Sequence, residues 1–167
     1  MDLNHRITRV FHDEHMATMA LMRRLRATLT RDGNGAPPDL ADLDVNTLLR
    51  DIAVAVEGEL TEHFAFEEDQ LFPRLAELGD GEIGAVLTEE HNEIMPLGRR
   101  LTALSKGALQ DGFTEAGWAE FRSVGRDFVD RIDSHIEKEE MGLVMALDSI
   151  IDEADDARLS AEYAVKR

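Results

Sequence analysis

Six residues able to ligate a metal fall into two matched sets. His63 and Glu67 stand four positions apart, as do His135 and Glu139, and one further histidine precedes each pair, His15 in the first half and His91 in the second. On a helix, i and i+4 lie one above the other on the same face, about 5–6 Å apart at Cβ, so each His-x-x-x-Glu pair offers an imidazole nitrogen and a carboxylate to a shared centre. Four imidazoles and two carboxylates are the natural complement of two ions, since a carboxylate can bridge two cations while imidazoles cap each end. Mixed nitrogen and oxygen donors suit iron or manganese and are also acceptable to zinc. The alternative is a set of hydrogen-bonded polar residues with no metal. Left unpaired in an apolar interior, such groups would cost about several kcal/mol each.

A single His-x-x-x-Glu is a weak signal, but these lie on an internal duplication. Glu14-His15, with Met19, Leu21, Arg23, Arg24, Leu25 and Ala27, recurs 76 residues later as Glu90-His91, with Met95, Leu97, Arg99, Arg100, Leu101 and Ala103. The segment from His63 to Leu71 recurs 72 residues on as His135 to Leu143, keeping the His, both Glu and the Leu. Four of the six histidines thus occupy matched positions, which chance spacing does not produce.

The composition narrows the class. At 167 residues with 43 % hydrophobic residues the chain makes one domain with a sizeable core. Eighteen Lys plus Arg against 35 Asp plus Glu give a formal charge of −17, which repels phosphate backbones and anionic membrane faces, so neither nucleic acid nor a membrane is an expected partner. There is no cysteine, which excludes disulfides, thiolate metal sites and a cysteine nucleophile. No signal-peptide-like apolar run opens the sequence and no apolar stretch reaches about 18 residues, so a soluble, cytoplasmic protein is expected.

The elements that must position the six residues read as helices. Four Pro, 12 Gly and long segments of apolar period 3.6 give an all-α class. Breakers cluster at 32–38, 79–81 and 107–112, leaving helices at roughly 3–31, 44–78, 82–106 and 114–151, with Asp44 and Thr114 as expected N-caps. Short connections favour an antiparallel up-down-up-down four-helix bundle over 1–153, followed by a short amphipathic tail over 154–167. Each helix carries one apolar stripe, and the ligand candidates interrupt the stripes: His15 between Phe11 and Met22, His63 and Glu67 between Leu60 and Leu71, His91 between Leu87 and Ile94, His135 and Glu139 between Ile132 and Leu143. With a rise of about 1.5 Å per residue, all six fall within about two turns of one height and can converge.

The order His15, His63-x-x-x-Glu67, His91, His135-x-x-x-Glu139, with His-Phe-x-x-Glu-Glu-x-x-Leu-Phe-Pro at His63 to Pro73, resembles the hemerythrin-like HHE cation-binding domains over roughly 3–150. The resemblance implies a four-helix bundle around a non-haem di-iron centre with Glu67 and Glu139 as bridging carboxylates. Ferritin-type bundles carry Glu-x-x-His instead. The oxygen-carrying hemerythrins have His-x-x-x-His on the third helix and His-x-x-x-x-Asp on the fourth. Here Met95 stands four after His91, and Glu139 follows His135 at i+4. One nitrogen ligand is therefore absent, which favours sensing, peroxide or nitric oxide chemistry over reversible oxygen carriage.

The expected function is a di-iron protein that binds or senses O2, nitric oxide or peroxide. Iron buffering or storage and a metal-stabilised interaction module are the alternatives. Of the remaining residues, His12 is either a further ligand or an outer partner, and His5, about 15 Å from His15 along the helix, is expected at the surface. Glu68 and Glu140, rotated about 100° from the stripe, are expected on solvated faces. Met19, Met22, Met95 and Met145 are expected to fill core volume, Met95 also being placed to line the site. Pro96 is expected to kink the third helix.

Overall fold

The computed structural model describes residues 3–30, 35–79 and 81–166. Among them are five helices and no strand. Helix α1 is Arg6–Thr30. Helix α2 runs over 43–77, α3 is Glu82–Asp111, and α4 runs over 115–150. Helix α5 is Glu153–Lys166, the segment expected as a tail. The first four close a ring, α1 packing on α2 and α4, and α3 on α2 and α4, while α5 lies against α1. No described helix is long and apolar enough to cross a membrane.

Two boundaries differ from the sequence expectation. Helix α2 is capped by Asp42, whose side chain accepts from the Asp44 amide, so the cap lies two residues earlier than Asp44. Helix α3 runs through Gly107 to Asp111 and stops at Gly112, whose φ of 81° is the left-handed conformation that suits glycine. Gly107 costs the helix little there because Leu101 and Ala108 on either side are buried, and their packing outweighs the propensity loss. Thr114 caps α4 as expected, accepting from the Gly117 amide. Helix α3 also continues unbroken through Pro96.

Helices α2 and α4 are α-helical except where the backbone widens to i→i+5 turns: Ala55–Leu60, Glu67–Leu71 and Glu139–Val144. Local sequence supplies causes. Pro73, six residues beyond Glu67, cannot donate an amide and would crowd the carbonyl of Asp69, four residues back and inside the wide turn, in a tight helix. Gly58 and Gly142 fall inside the other two segments. Two of the three wide turns begin on Glu67 and Glu139, and such turns occur disproportionately at functional positions.

The core is split into two apolar clusters by a polar layer. One contains Met22, Leu25, Ile52, Leu101, Phe121 and Phe128 among others. The second contains Ile7, Phe11, Phe66, Leu75, Leu87 and Leu147, completed by Leu159 and Tyr163 of α5. His15, His63, Glu67, His91, His135 and Glu139 are buried between them along the chain order of every helix. The apolar layers above and below exclude water and fix the rotamers of the polar one. Met22, Met19 and Met95 join the first cluster, whereas Met145 is exposed, because the wide turn at Glu139–Val144 carries it off the core stripe.

Candidate metal centre

The six buried residues form two groups that share both glutamates. His15, His63, Glu67 and Glu139 bring one donor atom each within 4.8 Å of one another, and so do Glu67, His91, His135 and Glu139. Each carboxylate turns one oxygen to each group. Glu67 Oε1 lies 3.5 Å from His63 Nε2 and its Oε2 3.3 Å from His91 Nε2. Glu139 Oε2 lies 3.0 Å from His15 Nε2 and its Oε1 2.9 Å from His135 Nε2.

The orientation of the imidazoles shows what the centre is shaped to hold. Every one of the four rings is fixed through Nδ1 by an outer glutamate: His15 by Glu140 at 2.6 Å, His63 by Glu14 at 2.8 Å, His91 by Glu68 at 2.7 Å and His135 by Glu90 at 2.8 Å. A carboxylate accepts only, so Nδ1 carries a proton and donates it outward, and Nε2 faces in, placed to bind a cation that is either a proton or a metal ion. His15 Nε2 then meets His63 Nε2 at 3.2 Å, and His91 Nε2 meets His135 Nε2 at 3.1 Å. None of the four oxygens of Glu67 and Glu139 receives a directed hydrogen bond. Lone pair facing lone pair in a buried site is repulsive unless a cation lies between. Two nitrogens bound to one ion at about 2.1 Å stand about 3.0–3.4 Å apart, so the observed spacings fit.

The outer glutamates obey the same duplication as the ligand candidates. Glu14 and Glu90 precede His15 and His91; Glu68 and Glu140 follow Glu67 and Glu139. Each backs a histidine on a neighbouring helix. Glu68 and Glu140 are thus not merely solvated: Glu68 is partly exposed yet holds His91, and Glu140 holds His15 and also His12 Nδ1 at 2.8 Å. His12 is therefore an outer partner in this structure and joins neither ligand group. His5 is partly buried rather than at the surface, its Nδ1 3.4 Å from Asp148 Oδ1, because α5 and the end of α4 cover the start of α1.

The sequence profile of the Hemerythrin HHE cation binding domain matches residues 6–147. The chain belongs to this family. No curated protein matches it. The matched span holds all six clustered residues and all four outer glutamates, while α5 of this HHE domain lies beyond it.

Electrostatics bind the layer together. Burial disfavours the charged form of His15, but the nearby carboxylates of Glu139 and Glu140 outweigh it and raise its pKa to about 9. His63, also penalised by burial, is raised to about 10 by Glu67, Glu14 and Glu139, and His91 to about 9 by Glu139, Glu67 and Glu68. Glu139 is held well below the usual carboxylate range: burial pushes it up, and the surrounding His135, His15 and His91 more than reverse this. In the metal-free protein, protons therefore take the place of a cation at this HHE centre, and a metal must displace them.

The two ends of the centre differ. A cavity of about 290 Å³ reaches His15, His63, His135 and Glu139 from between α1 and α2. His91 does not line it, and Phe64 stacks on that imidazole at 3.7 Å and 10°. Met95 packs on the apolar core and does not line the cavity either. Two contributors lie outside the sequence reading. Tyr163 of α5 donates a 2.6 Å hydrogen bond to Glu14 Oε2, and Lys138 donates to Glu90 Oε1 at 2.6 Å. The outer glutamates had a visible signal, since they repeat in register; Tyr163 had none, being outside the duplication.

Proposed function

We propose that this HHE domain is a non-haem di-iron protein that binds or senses O2, nitric oxide or peroxide. The observation that carries the reading is that Glu67 and Glu139 each present one oxygen to each histidine pair, the arrangement of two carboxylates bridging two ions. His15 and His63 would hold one ion, His91 and His135 the other. Hard oxygen donors combined with imidazoles favour iron or manganese over soft-ligand metals, with zinc the redox-inert competitor. Two irons so held would supply a redox-active pair able to bind an exogenous ligand.

The chain's own residues do the rest. The outer glutamates orient the imidazoles and raise their basicity. The apolar clusters keep bulk water from the layer, and the cavity supplies a route for a small neutral ligand to the His15 and His63 end.

The test is metal analysis and optical spectroscopy of protein expressed in iron-replete medium. Two irons per chain, with spectra that change on dithionite reduction and on addition of nitric oxide, are expected. Saturation at one ion, or full occupancy by zinc with no uptake of iron, would refute it.

A further inference from the structure

The cavity beside His15 and His63 is far larger than the proposed small ligands require. An apolar cavity of about 150 Å³ accommodates benzene, so about 290 Å³ corresponds by proportion to about a dozen non-hydrogen atoms, whereas a diatomic needs about a sixth of that space. Its walls are the side chains of Leu21, Met22, Ile52, Val56, Phe128 and Ile132, apolar on every helix that contributes. Its floor is polar at one place, where His15, His63, His135 and Glu139 converge. Its lining also contains the carboxylates of Asp13 and Glu59, both exposed, and of half-buried Glu14, and no Lys or Arg. A mostly apolar pocket with a few convergent polar groups at one end is the usual form of a small-molecule site.

We propose that this cavity binds a neutral, mainly apolar organic molecule of about a dozen non-hydrogen atoms with one oxygen-bearing end directed at the metal centre. Neutrality follows from the lining: an anionic head would pass Asp13, Glu14 and Glu59 in a chain of net charge −17 and find no Lys or Arg inside to compensate them. The apolar body follows from the walls, and the oxygen end from the hard donor set at the floor, which holds cations that take oxygen ligands. A hydroxyl, phenol or hydroperoxide meets all three conditions. This deepens the proposed function by naming a ligand class for the same site, and rests on that reading only for the directed end.

The experiment uses the full chain, zinc-loaded and metal-free, with 1-naphthol as probe and 1-naphthoate as its anionic counterpart. Saturable 1-naphthol binding at sub-millimolar concentration is expected in both forms and tighter with zinc, with 1-naphthoate at least tenfold weaker. Ala55→Trp, at a partly buried lining position, should weaken 1-naphthol at least tenfold while zinc stoichiometry stays unchanged. Thr18→Phe on the facing helix repeats the test should Ala55→Trp fold poorly. Absence of 1-naphthol binding, binding insensitive to both fillings, or equal affinity for 1-naphthoate overturns the proposal. Naphthol binding by a protein that takes no iron would leave the cavity proposal standing and remove the di-iron reading. A di-iron protein that ignores 1-naphthol would do the reverse.

Discussion

Tyr163 donates to Glu14 across 2.6 Å, and Glu14 in turn holds His63 Nδ1 at 2.8 Å. A helix outside the family-matched span thereby reaches a ligand candidate through one carboxylate. Tyr163 is buried against Phe11 and Phe66, with ring centroids 5.1 and 4.7 Å away, so its hydroxyl has a fixed origin. Tyr163→Phe keeps the ring and removes only the hydrogen bond. Stability should fall by about 0.5–1.5 kcal/mol. Because Glu14 then bears more negative charge on His63, the ligand-field spectrum of cobalt-loaded protein should also shift. A melting change with an unmoved spectrum would reduce Tyr163 to a packing residue.

The outer glutamates predict a graded loss of metal. Replacing the partner of a ligating imidazole typically weakens metal binding by about 10–100-fold. Glu90→Gln and Glu68→Gln should each fall in that range for zinc, measured by competition with a chromophoric chelator. Glu137→Gln, exposed and two residues before Glu139, is the control and should bind as the parent does. Parent-like affinity in all three would show that Nδ1 contacts do not position the rings.

Those glutamates also mark where the sequence could and could not be read. His15, His63, Glu67, His91, His135 and Glu139 were legible because ligand spacing, apolar stripes and duplication agreed, and burial of all six follows from the stripes alone. Glu68 and Glu140 were misplaced for a physical reason. A helical wheel rotates each about 100° from its neighbour and so away from its own core face, yet a glutamate at that angle faces the adjacent helix, which a wheel does not represent. The wide turns at Glu67 and Glu139 further disturb a 3.6 period. Helix α3 outran its predicted end because Leu101, Ser105 and Ala108 are buried, so tertiary packing carried it past Gly107. Tyr163 was invisible because nothing in a short amphipathic segment tells which side chain will meet a polar partner.

Metal-free and metal-loaded protein should respond to pH in opposite directions. The pKa values of His15, His63 and His91 are raised from 6.5 to about 9, 10 and 9. A raised pKa contributes stability that is fully present below the unfolded value and disappears as pH climbs through the folded one. Metal-free protein should thus melt progressively lower between pH 6.5 and about 10 on this account. Bound metal requires deprotonated donors, so the loaded form should gain relative to it across the same range and release protons on loading at pH 7. Calorimetry in buffers of different ionisation enthalpy reports the proton count. A count of zero, or a metal-free melting point that rises towards pH 9.5, contradicts the protonated layer.

Acid should attack a different place. The first amides of α1 have no cap from their own segment. Asp148 accepts from the Asn4 and His5 amides at 3.0 Å and from Thr8 Oγ1 at 2.7 Å, and Asp156 accepts from the Arg6 and Ile7 amides at 2.9 and 2.8 Å. Burial would raise the Asp148 carboxyl, but these hydrogen bonds hold it well below its ordinary 3.8. A depressed pKa contributes stability above the unfolded value that is lost as pH falls below it. Asp148→Asn should therefore cost about 1–3 kcal/mol at pH 7 and progressively less below about pH 3.8, as read from urea melts at both ends. An undiminished cost in strong acid would assign the effect to shape instead of charge.

Access to the centre gives the last test, because Met95 and the cavity make separate claims on it. Met95 takes the place of a third-helix imidazole in the oxygen-carrying relatives, yet it packs on the apolar core, and the cavity opens instead on His15 and His63. A ligand arriving through this cavity therefore does not pass position 95. In the iron-loaded protein Met95→His should leave the nitric oxide association rate within about twofold. Thr18→Phe should slow it at least several-fold, because the added ring occupies the route between α1 and α2. If Met95→His slows association as much as Thr18→Phe does, then the His91 end is the one that exchanges ligands. The stacking of Phe64 on His91 would in that case have to open for it to do so.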